Sequence, residues 1–170
     1  MSQNILLLCD ASGEKEFAAR WATRTGSDLG LVLTAIDLHR EKLSGGRIED
    51  EREYGGVTFN AFDEPVFIGS AIAQLAGHAE AVVVDSLDDW AARLRVKFGD
   101  NDIEIDSEIS SLTSVMRAAM CGLLLLSRRA DLPPPAAEVH RRILQQIDPC
   151  LKVIAELHGG SPVGLLRGSL

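Results

Sequence analysis

The chain has 170 residues, of which 46% are hydrophobic and 25% are charged, and its formal net charge is −8. This composition is typical of one ordinary globular domain, which we place at residues 1–170, and it argues against disorder. The acidic balance argues against a broad surface for nucleic acid or anionic lipid, since both need clustered lysine and arginine. The longest apolar run, residues 120–126, is too short to span a membrane.

The cysteines indicate the compartment. They stand at positions 9, 121 and 150, are odd in number, and lack CxxC spacing. This pattern is typical of a reducing environment, and the chain opens without a signal-peptide pattern, so we predict a cytoplasmic protein. Cys9 is interpreted as a packed residue, because small buried thiols are common in strands.

The first predicted element is a buried strand at residues 5–9, and the turn after it has the outline of a phosphate-binding P-loop. In the pattern GxxxxGK[ST], glycines let backbone N–H groups approach phosphate, the lysine supplies charge, and the hydroxyl holds magnesium. Ser12, Gly13 and Lys15 keep part of this pattern, whereas Glu14 and a second glutamate at position 16 flank the lysine. Carboxylates at a helix N terminus suit the helix dipole but repel a bound anion.

The rest of the chain alternates between apolar runs and helical periodicity. The alternation predicts an α/β fold, P-loop NTPase-like, with a mostly parallel central sheet and helices on both faces. The predicted strand at residues 57–62 alternates in polarity, which suits an edge strand, and residues 39–56 are interpreted as irregular. Further strands are predicted at residues 31–36, 57–62, 81–84, 122–126 and, more weakly, 163–166; helices are predicted at residues 17–24, 66–76, 87–97, 107–120 and 136–157.

Two helix details are specific expectations. Ser107 is the expected cap of the helix at 107–120, since serine is a favoured N-cap residue. The prolines at 133–135 are expected to block helix before the last helix, and Pro149 should kink or split it near Asp148.

Polar residues outside the turn give weaker signals. Asp85 ends an apolar strand, where P-loop proteins hold Mg²⁺, but an aspartate at a strand end also caps the following helix, and the sequence alone slightly favours the cap. Arg128, in the pair Arg128-Arg129, is interpreted as a solvated surface charge, because short runs of charged residues usually lie in solvated helices or loops. His140 falls on a polar helix face and His158 at a helix end. No histidine pair has metal-ligand spacing.

Three motifs together carry a family resemblance. Leu33-Thr34-Ala35 fits a strand ending in Ala-Thr-Ala, Asp63-Glu64-Pro65 fits Glu-Glu-Pro, and Val82-Val83-Val84-Asp85-Ser86-Leu87 with Trp90 fits a Val-Asp-Cys-Leu strand. In this order and spacing the chain resembles the adenosylcobinamide kinase/adenosylcobinamide-phosphate guanylyltransferase family of cobalamin biosynthesis. The resemblance implies a P-loop NTPase-like fold, a homotrimer, and ATP or GTP with Mg²⁺ bound by Ser12, Gly13, Lys15 and Asp85.

The departures from this family fall on its chemistry. The family's guanylylated histidine lies in an Arg-Ile-x-x-His segment, which is Arg47-Ile48-Glu49-Asp50-Glu51 here, so Glu51 stands at the catalytic position. A carboxylate can act as a nucleophile. The acidic neighbours of Glu51, however, would repel a triphosphate.

Two functions therefore remain open from the sequence. One is an active kinase or nucleotidyltransferase, in which Lys15 and the backbone of residues 12–15 bind nucleotide. The other, which the joint changes at positions 14, 16 and 51 favour, is a pseudoenzyme that serves as an interaction or regulatory subunit with a protein partner. A fold does not carry its function with it, so the ligand and the partner are not set by the resemblance.

Overall fold

A computed structural model describes residues 3–10, 12–35, 48–128, 131–158 and 161–168. The predicted strand residue Ile36 and residues 39–47 of the segment predicted to be irregular lie outside these residues. The strands are β1 (Asn4–Cys9), β2 (Leu29–Leu33), β3 (Ile48–Tyr54), β4 (Val57–Asp63), β5 (Ala81–Asp85), β6 (Gly122–Arg128), β7 (Val153–His158) and β8 (Ser161–Arg167). The helices are α1 (Glu14–Thr25), α2 (Ile68–Ala76), α3 (Leu87–Phe98), α4 (Asp102–Ala118) and α5 (Pro134–Ile147), with a short 3₁₀ turn at Asp148–Cys150.

All eight strands form one sheet, in the order β3-β4-β2-β5-β6-β1-β7-β8. The six inner strands are parallel, and β3 and β8 close the two edges in antiparallel pairing. The predicted α/β class with a mostly parallel sheet is therefore confirmed. Because parallel strands align their carboxyl ends, the ends of β1, β5 and β6 meet at the same edge of the sheet.

Alternate residues of the inner strands face opposite layers of the core. On one face, Leu6, Val84 and Leu125 pack with apolar residues of α2, α3, α4 and α5. On the other face, Leu7 and Leu126 pack with three alanines of α1. Burial on both faces explains why these strands are continuous apolar runs in the sequence.

For the expected long helix at residues 136–157, the break predicted near Asp148 is confirmed, but residues 153–158 form a strand and not a continuation of the helix. Helix α5 ends at Ile147, a 3₁₀ turn follows, and β7 begins at Val153. Pro149 has no N–H to donate and its ring excludes the preceding helical turn, so the helix stops there. The expectation that the prolines at 133–135 block helix is also wrong, because the helix begins at Pro134. The N–H of a first helical residue has no intrahelical partner, so a proline is tolerated there.

Two further boundaries and the position of one strand in the sheet differ from prediction. Strand β2 begins at Leu29 and ends at Leu33, earlier than expected. Helix α4 begins at Asp102, and Asn101 caps it by accepting from the Glu104 N–H, so the proposed Ser107 cap lies inside the helix. Strand β4 is not an edge strand, because β3 pairs beside it.

The acidic segment read as irregular contains β3. A two-residue turn at Gly55 and Gly56 joins β3 to β4, and both glycines have positive φ, 59° and 83°. Consecutive positive φ values are the requirement of a type I′ hairpin turn.

Within the described residues, no helix is both long and apolar enough to cross a bilayer.

Candidate functional site

The register of the sheet brings Asp85 and Arg128 to one place. Asp85 pairs with Leu126 on β6, and Arg128, two residues further along that strand, pairs with Cys9 on β1. The alternation along β5 and β6 puts both charged residues on the face that α1 covers. In parallel α/β sheets, ligands bind at this carboxyl edge.

The turn between β1 and α1 depends on Gly13. Its φ of 106° and ψ of −4° lie in the left-handed region, which an L side chain rarely adopts. This conformation lets α1 begin directly at Glu14, three residues before the predicted start, and the Gly13 carbonyl accepts from the Phe17 N–H at 3.1 Å. The Ser12 and Lys15 side chains are both exposed.

Arg128 is the centre of the site. Its guanidinium lies 2.7 Å from Asp85 Oδ1 and 3.1 Å from Glu14 Oε1, and its backbone N–H donates to Asp88 Oδ1 at 2.9 Å. Burial lowers the pKa of Arg128, but the hydrogen bonds and charges of Asp85 and then Glu14 outweigh it and raise that pKa. The interpretation of Arg128 as a solvated charge is therefore wrong.

Asp85 is held by residues from three parts of the chain and does not cap α3. Its Oδ2 accepts the Tyr54 hydroxyl at 2.6 Å, and Oδ1 faces Arg128. Burial and then the charge of Asp85 raise the pKa of Tyr54, so its hydroxyl stays protonated and donates. The strand end itself is anchored by Thr34, whose Oγ1 donates to the Asp85 and Ser86 carbonyls. The α3 N-cap is Ser86.

The β3–β4 hairpin packs onto the start of α1. Lys15 Nζ lies 5.6 Å from the centroid of the Tyr54 ring, a cation–π distance. A Cβ on Gly55 would lie 2.2 Å from the Lys15 carbonyl oxygen, so only glycine permits this approach. Lys15, Glu14, Arg128, Asp85 and Tyr54 thus form one cluster, which we call the ion-paired turn.

Glu51 does not join the ion-paired turn. It lies on β3 opposite Asn60 and is exposed. Because side chains alternate along a strand, Glu51 is on the face opposite Tyr54. Of the sequence-predicted site residues, the structure brings Gly13, Lys15 and Asp85 to one end of the sheet and places Glu51 away from them.

The contacts of the ion-paired turn do not fit a magnesium–triphosphate group. Both Asp85 oxygens are already bonded, one of them to a cation that stands where a metal ion would need access. The Glu14 side chain is 12% exposed and lies against Arg128, so it adds negative charge where phosphate would need donors. Within the described ranges, no three histidine, cysteine or carboxylate side chains are grouped to hold a metal ion.

Two histidines make contacts that the sequence did not predict. His140 Nε2 lies 2.7 Å from the buried Ser127 hydroxyl on the α5 side of the sheet. Burial lowers the pKa of His140, although the charge of Asp88 opposes this. His158 ends a strand, not a helix, and its Nδ1 contacts Asp10.

Cys9 is buried at the end of β1 and is not activated. Burial, followed by the negative charge of Glu14, raises the pKa of Cys9 to about 12. Since the thiolate is the reactive form, this supports the interpretation of Cys9 as a packed residue.

Tyr54 and Arg128 are the functional residues that the sequence interpretation missed. Two adjacent glycines between two segments of similar length are a hairpin signal, and they would have placed Tyr54 at the end of a strand. Arg128 follows an apolar strand at the sheet's carboxyl edge, and that position distinguishes it from a solvated charge.

Comparison with known proteins identifies the fold alone. No protein-family model and no curated protein matches the chain. The crystal structure of the RadB recombinase is similar with a TM-score of 0.53 and 17% identity, over 98% of this chain and 81% of that one. A protein from Pyrococcus horikoshii OT3 is similar with a TM-score of 0.51 and 11% identity, over 99% and 87%. These likenesses support an α/β fold with a mostly parallel central sheet.

Proposed function

We propose that this chain is a pseudoenzyme: a P-loop NTPase-like protein that does not bind nucleotide productively and acts as an interaction or regulatory subunit. The observation that carries the proposal is the guanidinium of Arg128, 2.7 Å from Asp85 and 3.1 Å from Glu14. In that arrangement the positive charge that Asp85 faces is a side chain of the protein. A separate metal ion would have to displace it.

Electrostatics supports the same proposal. A triphosphate approaching Lys15 would meet the charges of Glu14 and Asp85, and like charges about 4 Å apart repel by ~1 kcal/mol in water and ~4 kcal/mol at a partly shielded site. Arg128 offers little compensation, because it is already paired with both carboxylates. Ser12, Gly13 and Lys15 are therefore proposed as remnants of a nucleotide site and Asp85 as the remnant of a metal site.

The ancestry that we propose is the adenosylcobinamide kinase/guanylyltransferase family, on the three sequence motifs described above. Glu51 at the position of the family histidine is proposed to be inactive, since it lies on the face of β3 opposite Tyr54. By the same resemblance we propose a homotrimer that contacts a protein partner. Light scattering of the purified chain measures the trimer directly.

Calorimetric titration with ATP and with GTP, each with Mg²⁺, tests the proposal. We expect no saturable heat at millimolar nucleotide. Incubation with labelled GTP should leave no covalent GMP on the protein. Saturable, Mg²⁺-dependent binding, or a GMP adduct, would contradict the proposal and favour the alternative of an active kinase or nucleotidyltransferase.

A further inference from the structure

The edge strand β3 has backbone hydrogen-bonding groups that the sheet does not use. It pairs with β4 on one side, and in the part of the chain that the structure describes no strand lies on its other side. Its pairing with β4 runs without a register shift. The opposite edge differs, because β8 pairs with β7 through two register shifts, and bulges of this kind hinder further pairing. Of the two edges, β3 is the one whose regular geometry suits an added strand.

The hairpin turn decides which residues of β3 face the open edge. Tyr54 and Val57 flank the two-residue turn and close the hairpin, so their backbone N–H and C=O groups point toward each other. This direction alternates along an antiparallel strand, so Glu49, Glu51 and Glu53 direct their backbone groups away from β4. The residues that an added strand would bond are therefore the three glutamates.

The side chains at this edge determine the charge that a partner needs. Glu51 and Glu53 are exposed, and both lie on the face of β3 that is turned away from α1. The one cation of β3, Arg52, lies on the other face, where it contacts Asp50 Oδ1 at 3.0 Å and Asp63 Oδ1 at 2.8 Å. Arg52 therefore does not neutralise the two glutamates.

A second copy of this chain does not fit the edge. Two β3 strands paired in antiparallel order would set glutamate opposite glutamate, and like charges directly opposite each other destabilise a strand pair. A strand with lysine or arginine at every second residue would instead bring a cation opposite each glutamate, which stabilises the pair. The net charge of −8 also attracts a basic segment over longer distances.

The hairpin that carries this edge is fixed to the body of the protein. The Tyr54 hydroxyl donates to Asp85 Oδ2 at 2.6 Å, and the Tyr54 ring meets the Phe59 ring edge-on with 5.7 Å between their centroids. Gly55 packs closely against the backbone of α1. Because the edge is preformed, a partner strand would bind without the entropy cost of ordering β3.

We propose that β3 is the docking edge for an extended segment of a partner protein that has lysine or arginine at alternate positions and adds to the sheet in antiparallel orientation. The backbone of this segment would pair with that of residues 49, 51 and 53, and its cations would lie opposite Glu51 and Glu53. This inference rests on the proposed function and deepens it, because it names the class of partner that the interaction subunit binds.

Fluorescence anisotropy of labelled synthetic peptides of about nine residues, the length of a strand, tests the docking edge. In the first peptide lysine and threonine alternate, and the second has the same residues in an order without alternation. In the third, glutamate replaces lysine. We expect saturable binding of the first peptide, at least about threefold weaker binding of the second, and none of the third. Equal affinity for the first two would overturn the inference, because charge alone would then explain the binding.

Methylation of backbone nitrogens separates strand addition from attraction between charged surfaces. The methyl group removes a hydrogen-bond donor and leaves the charge of the peptide unchanged. In an antiparallel ladder, the residues opposite Glu51 and Glu53 direct their N–H groups toward β3. Methylating the lysine nitrogens of the first peptide should therefore abolish binding, whereas methylating the threonine nitrogens should not. Equal effects of the two sets, or a larger effect at the threonines, would overturn the antiparallel docking.

Substitutions on the protein test the same contact from the other side. Glu51→Gln with Glu53→Gln should weaken binding of the first peptide at least about threefold, because two cross-strand ion pairs are lost. The matched control is Glu16→Gln with Glu104→Gln, which changes the net charge equally at exposed side chains on α1 and α4 and should leave the affinity unchanged. Equal weakening in both double variants would overturn the inference. A native chain that binds none of the peptides would reject this inference alone, whereas the proposed function is contradicted by saturable nucleotide binding.

Discussion

Replacing Arg128 with methionine tests whether the ion-paired turn is a structural unit. The substitution leaves Asp85 and Glu14, whose side chains are 7% and 12% exposed, without their shared cation. Removing one partner of a buried ion pair costs about 3–5 kcal/mol, and we expect the lower end because Arg128 itself is 30% exposed. In a chain of this size each kcal/mol lowers the melting temperature by about 2–4 °C.

Urea unfolding followed by circular dichroism measures this loss. The matched control is Arg141→Met, because Arg141 is 58% exposed and its pair with Glu138, at 3.5 Å, is a surface contact. That control should change stability by no more than about 0.5 kcal/mol. Adding Glu14→Gln and Asp85→Asn to Arg128→Met removes the unpaired charges and should recover most of the loss. An Arg128→Met chain as stable as the control, or no recovery in the triple variant, would refute the reasoning.

The remaining predictions concern the hairpin, a histidine and a thiol. Gly55→Ala should destabilise the chain by more than Gly56→Ala in urea unfolding. Both variants replace a glycine with positive φ, at a cost of about 1–2 kcal/mol, but only the Cβ added at Gly55 would lie 2.2 Å from a backbone oxygen. Equal losses would refute the packing of the hairpin on α1. Burial lowers the pKa of His140 in the folded chain, whereas in the unfolded chain the pKa of this histidine is ~6.5. As pH falls, the unfolded chain therefore binds a proton first. The stability that neutral His140 contributes is present above pH ~6.5 and is lost as pH falls through the pKa of the folded state. His140→Gln should therefore flatten the loss of stability between about pH 7.5 and about pH 5.5, and an unchanged slope would contradict this. With a pKa of about 12, Cys9 should be alkylated by iodoacetamide much more slowly than the half-buried Cys150, and mass spectrometry of the native chain would disprove this if Cys9 reacted first.

The inner sheet was predictable because its strands are buried on both faces. In a chain that alternates between apolar runs and helical periodicity, continuous apolar runs such as residues 81–84 and 122–126 predict buried strands, and both are strands. The end of the chain was not predictable in the same way. Residues 153–158 alternate between buried and half-buried positions, and a short alternating segment after a helix is easily read as its continuation.

The candidate site was predictable only in part. The turn after β1 and the carboxylate at the end of β5 follow from their positions in the sequence. The pairing of Arg128 with Glu14 joins residues 114 positions apart, and no local pattern encodes such a contact. Tyr54 reaches Asp85 because a two-glycine turn folds β3 back along the sheet, which depends on tertiary packing as well as on the turn.

The central claim is that the ion-paired turn stands where a nucleotide would bind. The most direct measurement is a crystal structure of the native chain grown with millimolar GTP and Mg²⁺. The claim predicts Arg128 in contact with Asp85 and Glu14, and no nucleotide at the N terminus of α1. Ordered phosphate groups on that turn, contacted by Lys15 and with Arg128 displaced from Asp85, would contradict it.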